Sequence, residues 1–336
     1  MPGRVLYASF ATQHLSGGVG VHLAHIALLR AAGIEASLWL PTDGVPAWMG
    51  SVPVVAGTTI EVGADDVLVL PEAPLVPGTD PAPGARKVVL NQNHFYTYAT
   101  WDAPASAYPG WDPAPTVWTV SGESVAVIGA LHPDLAVRRL PPPVDPAEFG
   151  PAPSASGVAL LPKKRPHEGR LLERLLEVDP RTAGVPVRVI ADAPRADVVS
   201  ALAQAQVFVS LSHTDSFGLP VVEAMLSGCL VVGYDGGGGV ELFEAPGAWR
   251  VPEQRPLLVV ERVAAVLAQA RADPGWFTGL AEANRAWAAE RYAPEVLAPT
   301  LLGAVEAVRR TPSSATTAVH PSRWLDRMPP SFTKTG

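Results

Sequence analysis

Residues 207–244 read V-F-V-S-L-S-H-T-D-S-F-G-L-P-V-V-E-A-M-L-S-G-C-L-V-V-G-Y-D-G-G-G-G-V-E-L-F-E. The order predicts strand, loop, helix, strand, glycine-rich loop and helix. Residues 207–211 form a short apolar strand, and residues 212–219 a loop carrying Asp215. Pro220 suits a first helical turn, where its fixed φ fits and its missing N–H costs nothing. Gly228 ends that helix. Residues 229–234 are apolar throughout, as in a parallel strand covered on both faces. The run 236–239 then opens a further helix at Val240. Such alternation predicts a doubly wound parallel sheet. Open sheets of this kind bind ligands beyond the carboxyl ends of strands, where free helix N–H groups collect anions. Asp215 on the loop and Glu223 in the first turn of the helix add two acids to two anion-friendly corners. Carboxylates repel phosphate but accept hydrogen bonds from hydroxyls. Amides for a diphosphate beside acids for hydroxyls describe a nucleotide-sugar site.

The chain has 336 residues, enough for two domains of ordinary size, and 48% of them are apolar. A net charge of −7 argues against a nucleic-acid or membrane surface. The single cysteine, Cys229, sits in an apolar strand and reads as a buried, inert thiol in a reducing compartment. The sequence enters a strand directly from Met1, so no signal peptide is expected, and no apolar run reaches the ~20 residues that span a bilayer. A cytoplasmic location follows as an expectation. The sequence is compatible with a homodimer.

The first half begins with a strand over 4–10, a loop over 11–20, a helix over 21–32 ended by Gly33, and a strand over 34–40. Strands are expected at 67–70, 87–90 and 116–120, and a helix at 123–128. Ser16, Glu72, Asn91, Gln92, His94 and Ser121 fall just past strand ends and would line one sheet edge. The proline run 141–146 is too stiff for a sheet interior and marks the boundary of a first domain at 1–143. A second domain over 144–293 restarts the alternation: strand 158–161, helix 168–178, strand 187–191, helix 195–204, then the opening stretch and helices at 257–272 and 276–291. A last helix over 294–310 carries an apolar stripe and is expected to pack toward the first domain. Residues 311–336 read as a mobile tail or a strap over the surface.

Ser16-Gly17-Gly18-Val19-Gly20 lacks the spacing of a dinucleotide fingerprint, yet a Gly-rich first loop lets backbone approach a phosphate or sugar. Lys163-Lys164-Arg165 follows a strand end on the edge that carries Asp215, so at least one lysine should meet phosphate, with Arg165 toward solvent. His94 fits either a structural histidine or a site residue. His167, His213 and His14 are weaker candidates. Tyr96, Tyr98 and Trp101 are stacking surfaces for an acceptor, or pack under the proline-rich loop 103–115. Neither a paired-acid motif nor a Cys/His cluster points to a metal, and none is expected.

The segment S-H-T-D-S-F-G-L-P-V-V-E-A-M-L-S-G resembles the E-x7-E signature of retaining family 4 glycosyltransferases of the GT-B fold, with Asp215 at the first acid and Glu223 at the second. L-L-P-K-K-R-P is similar to the P-R-K-x-P segment of a bacterial subgroup, V-V-L-N-Q-N to its N-Q-N strand end, and P-P-P-V-D-P-A-E-F to the interdomain linker. The resemblance implies two Rossmann-like doubly wound domains facing across a cleft. Glu223 would hold the donor ribose and Asp215 would lie near the donor sugar. Ser216, Phe217, Gly218 and Leu219 would offer backbone to sugar and phosphate, Lys163 and Lys164 would bind diphosphate, and Gly17 and Gly18 would close over the donor. Glu72, Asn91, Gln92, His94 and Tyr96 would form the acceptor side, with His94, Lys163, Lys164 and Asp215 catalytic. The implied reaction moves a hexose, glucose as first guess, from a nucleotide-diphosphate sugar such as UDP-glucose to a hydroxyl of a soluble small-molecule acceptor of specialised metabolism, with retention and without a metal or other cofactor. Asp215 is one methylene shorter than the usual glutamate, which leaves donor identity open. The alternatives are a GT-B-fold epimerase or phosphorylase, and a nucleotide-sugar-binding protein without catalysis.

Overall fold

The computed structural model describes residues 3–9, 17–41, 44–49, 51–72, 79–98, 103–104, 108–153, 155–191, 193–314 and 317–319. Two compact units divide the chain, one of Met1–Pro143 with Leu297–Gly336, the other of Val144–Val296.

The first unit is built on a parallel sheet of seven strands: β1 (Val5–Ala8), β2 (Ala36–Leu40), β3 (Val54–Ala56), β5 (Val67–Pro71), β6 (Arg86–Asn91), β7 (Thr116–Thr119) and β8 (Val137–Arg139), in the order β3-β2-β1-β5-β6-β7-β8. Every residue of β1 is buried, because a central parallel strand is covered on both faces. Helix α1 spans Gly17–Ala31, earlier than the sequence suggests: Gly17 and Gly18 are its first turn rather than a loop. Glycine is a poor helix former, which hides this start from propensity. Helix α2 (Gly122–Leu131) follows β7, with Ser121 as N-cap accepting from the Ser124 amide at 3.1 Å.

A short β4 (Ile60–Val62) pairs antiparallel with β14 (Thr317–Val319). Part of the expected tail is therefore a strand strapped to this unit, and Val319 is fully buried in its core.

The second unit holds a parallel sheet of β9 (Val158–Leu160), β10 (Val187–Val189), β11 (Val207–Asp215), β12 (Leu230–Gly237) and β13 (Ala248–Arg250), in the order β10-β9-β11-β12-β13. Its helices are α3 (Pro166–Val178), α4 (Arg195–Ala203), α5 (Leu219–Leu226), α6 (Pro256–Ala272) and α7 (Pro274–Tyr292). Helix α8 (Pro294–Arg309) carries the chain back into the first unit. There Leu301, Ala304, Val305 and Val308 pack with Val5, Tyr7 and Ile26.

The central strands differ from expectation in one way that matters. β11 runs four residues past Leu211, so Ser212–Asp215 is strand rather than loop. It pairs Ser212 with Asp235 and, across a bulge, Asp215 with Gly237. No helix among the described residues is long and apolar enough to cross a membrane.

Candidate functional site

In the second unit β9 and β11 are neighbours, so the loops after them share the carboxyl edge of the sheet. Asp215 closes β11, after a Thr214 in positive φ (43°). Gly218 caps α5 in the left-handed region (φ 99°), which favours glycine. Pro220 lies in the first helical turn. The amides of Phe217, Gly218 and Leu219 make no hydrogen bond to another described residue. The Phe217 ring turns inward, edge-on to Tyr292 at 5.2 Å, and Gly218 is buried with it. Ser216 is buried beside it.

The four glycines 236–239 end β12 and form the turn after it. A Cβ on Gly238 would stand 2.4 Å from the Ser216 Cα, and one on Gly239 2.5 Å from the Phe217 carbonyl oxygen. The run lets one backbone lie directly on another. It does not form the second anion corner that its sequence suggests. The amides of Gly238 and Gly239 donate to Asp215 O (2.8 Å) and Asp235 O (3.0 Å), and that of Gly237 to the Asp235 carboxylate (2.9 Å). Val240–Glu244 is a short 3-10 turn rather than an α-helix.

The basic run separates into three environments. Lys163 is exposed. Lys164 Nζ lies 2.6 Å from Asp215 Oδ1 and 3.4 Å from the Thr214 carbonyl. Arg165, expected in solvent, is instead largely buried, because two carboxylates neutralise it. It pairs with Glu168 at 3.1 Å and with Glu253, donates to His213 at 2.8 Å, and lies over the Tyr234 ring.

Glu223 is the fifth residue of α5, in its second turn rather than its first, since the helix starts at Leu219. It is buried and receives Nη1 of Arg195, whose Nη2 reaches Glu148 at 2.9 Å. Arg195 is a partner of Glu223 that the sequence reading missed. Its signal was a cation in the first turn of a helix, where the dipole disfavours it.

In the first unit Gln92, His22 and α1 meet. Gln92 Nε2 lies 2.9 Å from His22 Nε2 and donates to Gly18 O at 3.2 Å, which ties the start of α1 to the end of β6. Burial pushes the His22 imidazole down to about 4, so it is neutral. Asn91 is fully buried and donates to Thr97 Oγ1 at 2.7 Å, which shapes the turn after β6. His94 Nδ1 lies 2.8 Å from Ser124 Oγ, and the Phe95 ring lies tilted against its ring, centroids 4.2 Å apart. Desolvation lowers the His94 pKa, against the pull of Glu123.

Glu72, at the end of β5, accepts from the Asn93 amide at 2.8 Å, and burial pushes its carboxyl up to about 7. Tyr96 is half-buried. Tyr98 takes the packing role, its hydroxyl on His132 and its ring edge-on to Tyr108 at 5.6 Å. His14, Ser16 and Trp101 lie outside the described residues. Cys229 is buried and its thiol is pushed up to about 12 by desolvation, so it is unreactive. Among the described residues no cluster of three His, Cys, Asp or Glu could hold a metal ion.

The family model described as "Glycosyl transferases group 1" matches residues 178–272, which include β10–β13, α4, α5 and α6. An alpha-1,6-glucosyltransferase of Actinobacillus pleuropneumoniae serotype 7 is 27% identical over 241 residues, covering 69% of this chain and 72% of that protein. Among solved structures, Anabaena HepE in complex with UDP aligns with a TM-score of 0.64 at 14% identity, over 90% of this chain and 100% of that one. Sucrose-phosphate synthase of Thermosynechococcus elongatus aligns with a TM-score of 0.60 at 12% identity, over 91% and 99%. At these identities the structural likeness concerns the fold, and the fold is GT-B. With the family match and the glucosyltransferase relative, the comparisons support a glycosyltransferase enzyme.

Proposed function

We propose that this chain is a retaining, metal-independent hexosyltransferase that moves glucose from UDP-glucose to a hydroxyl of a soluble small-molecule acceptor. The observation that carries this reading is the grouping at the end of β11: three amides at 217–219 that bond no other described residue, the Lys164–Asp215 pair and the buried Glu223. The amides and Lys164 suit a diphosphate, whose charge grows as the sugar–phosphate bond breaks. Lys163, exposed on the loop after β9, would add a second cation. Asp215 suits a sugar hydroxyl and Glu223 a ribose diol. The relative's name, a glucosyltransferase, favours glucose, and the UDP and UDP-glucose complexes of HepE favour uridine.

The donor sugar departs through an oxocarbenium-like state. The incoming acceptor hydroxyl attacks from the same face, and its proton passes to the leaving phosphate. This chain's residues hold the phosphate charge and orient the sugar. On the acceptor side Glu72, Asn91, Gln92, His94 and Tyr96 remain the candidates, and Gly17 and Gly18 remain candidates for donor contact. Incubation with a panel of nucleotide sugars, with and without EDTA, tests the reading through release of nucleoside diphosphate. Release from UDP-glucose that EDTA leaves unchanged is expected. Release from no donor, or only with added metal, would contradict it. The anomeric configuration of the product, read by its proton coupling, tests retention.

A further inference from the structure

Arg195 opens α4, where a cation opposes the helix dipole. Other interactions hold it there. Nη1 donates to Glu223 Oε1, Nη2 to Glu148 Oε2 at 2.9 Å, and the guanidinium carbon stands 5.0 Å from the Phe149 ring centroid. The two acids differ in depth: the Glu148 side chain is 52% exposed and that of Glu223 10%.

We propose that Arg195 is the resident counter-ion of Glu223 that an incoming nucleotide's ribose diol displaces, with Glu148 and Phe149 holding the guanidinium meanwhile. The inference rests on the ribose assignment of Glu223 made above. A sunken carboxylate that loses its cation needs replacement hydrogen bonds. Two vicinal hydroxyls supply them. Arg195 keeps a solvent-facing acid and an aromatic ring, so its release leaves no stranded charge. Donor affinity then includes the free-energy difference between two placements of one side chain.

Calorimetric titration of UDP, GDP and ADP into wild type, Arg195→Ala, Glu148→Ala and Glu223→Ala tests this. The preferred nucleotide should bind Arg195→Ala more tightly, by up to about fivefold, the scale of a partly exposed ion pair. It should bind Glu148→Ala more weakly by a similar factor, because Arg195 then has Glu223 as its one paired acid. Weaker binding to Arg195→Ala would overturn the inference and make the arginine a nucleotide contact. Unchanged affinity in both variants would overturn it in favour of a structural pair. Glu148→Ala decides the matter if Arg195→Ala fails to fold. A Glu223→Ala variant that binds like wild type removes the ribose reading itself. A weakened Glu223→Ala with an unaltered Arg195→Ala removes only the role of Arg195. Failure of all three nucleotides to bind wild type overturns both.

Discussion

Lys164 Nζ lies 2.6 Å from Asp215 Oδ1, so the cation after β9 and the acid that closes β11 form one unit on one sheet edge. Both side chains are partly exposed, and such a pair contributes little to stability, about 0–1 kcal/mol. Lys164→Ala should therefore leave the melting temperature within a few degrees of wild type. Turnover should fall by about 10²-fold, the usual scale for loss of one group that stabilises transition-state charge. Thermal melts and single-turnover rates on the same preparation separate the two effects. A large loss of stability with unaltered turnover would make the lysine structural.

Glu223→Ala should weaken nucleotide binding by about tenfold, equivalent to roughly 1.4 kcal/mol, while 2′-deoxy-UDP should lose less than UDP. Unchanged affinity for both would remove Glu223 from the ribose.

Gly238 has no room for a Cβ, which would stand 2.4 Å from the Ser216 Cα and 2.5 Å from the Asp215 carbonyl oxygen. Gly238→Ala should push the 215–217 backbone outward, lower the melting temperature and weaken nucleotide binding together. A variant with wild-type melting and affinity would show that the two loops do not lean on each other.

Burial raises the Glu72 carboxyl from 4.5 to about 7. Between these values the folded carboxyl keeps a proton that the unfolded one has lost. Folding takes up that proton, so stability falls as pH rises from about 4.5 through about 7 and then levels off. The full difference is about 3 kcal/mol. Urea denaturation at pH 5 and pH 8 should show the loss in wild type, and Glu72→Gln should flatten it. Equal slopes in both proteins would place the titration elsewhere.

The parts of this architecture that local chemistry sets were legible. The apolar run of β11, the Gly-Leu-Pro start of α5 and the Gly228 stop announce themselves through φ preferences and hydropathy. The extension of β11 to Asp215 was not legible. Its residues are polar, and only the ladder to Asp235 and Gly237 makes them strand. Strands of three residues, such as β3, β8 and β13, are too short to show a period. The glycine run read as an anion corner at the start of a helix, because glycine's lack of a Cβ serves a phosphate or a second backbone equally well. Its partner proved to be the 215–217 backbone rather than a phosphate. Arg195 meets Glu223 across 28 positions of sequence, a pairing that only the fold creates.

A crystal structure with UDP bound tests the central claim most directly. The account predicts the diphosphate on the amides of 217–219 with Lys164 beside it, and the ribose hydroxyls on Glu223. UDP bound away from the β11–α5 corner, or lying there with its ribose off Glu223, would contradict it.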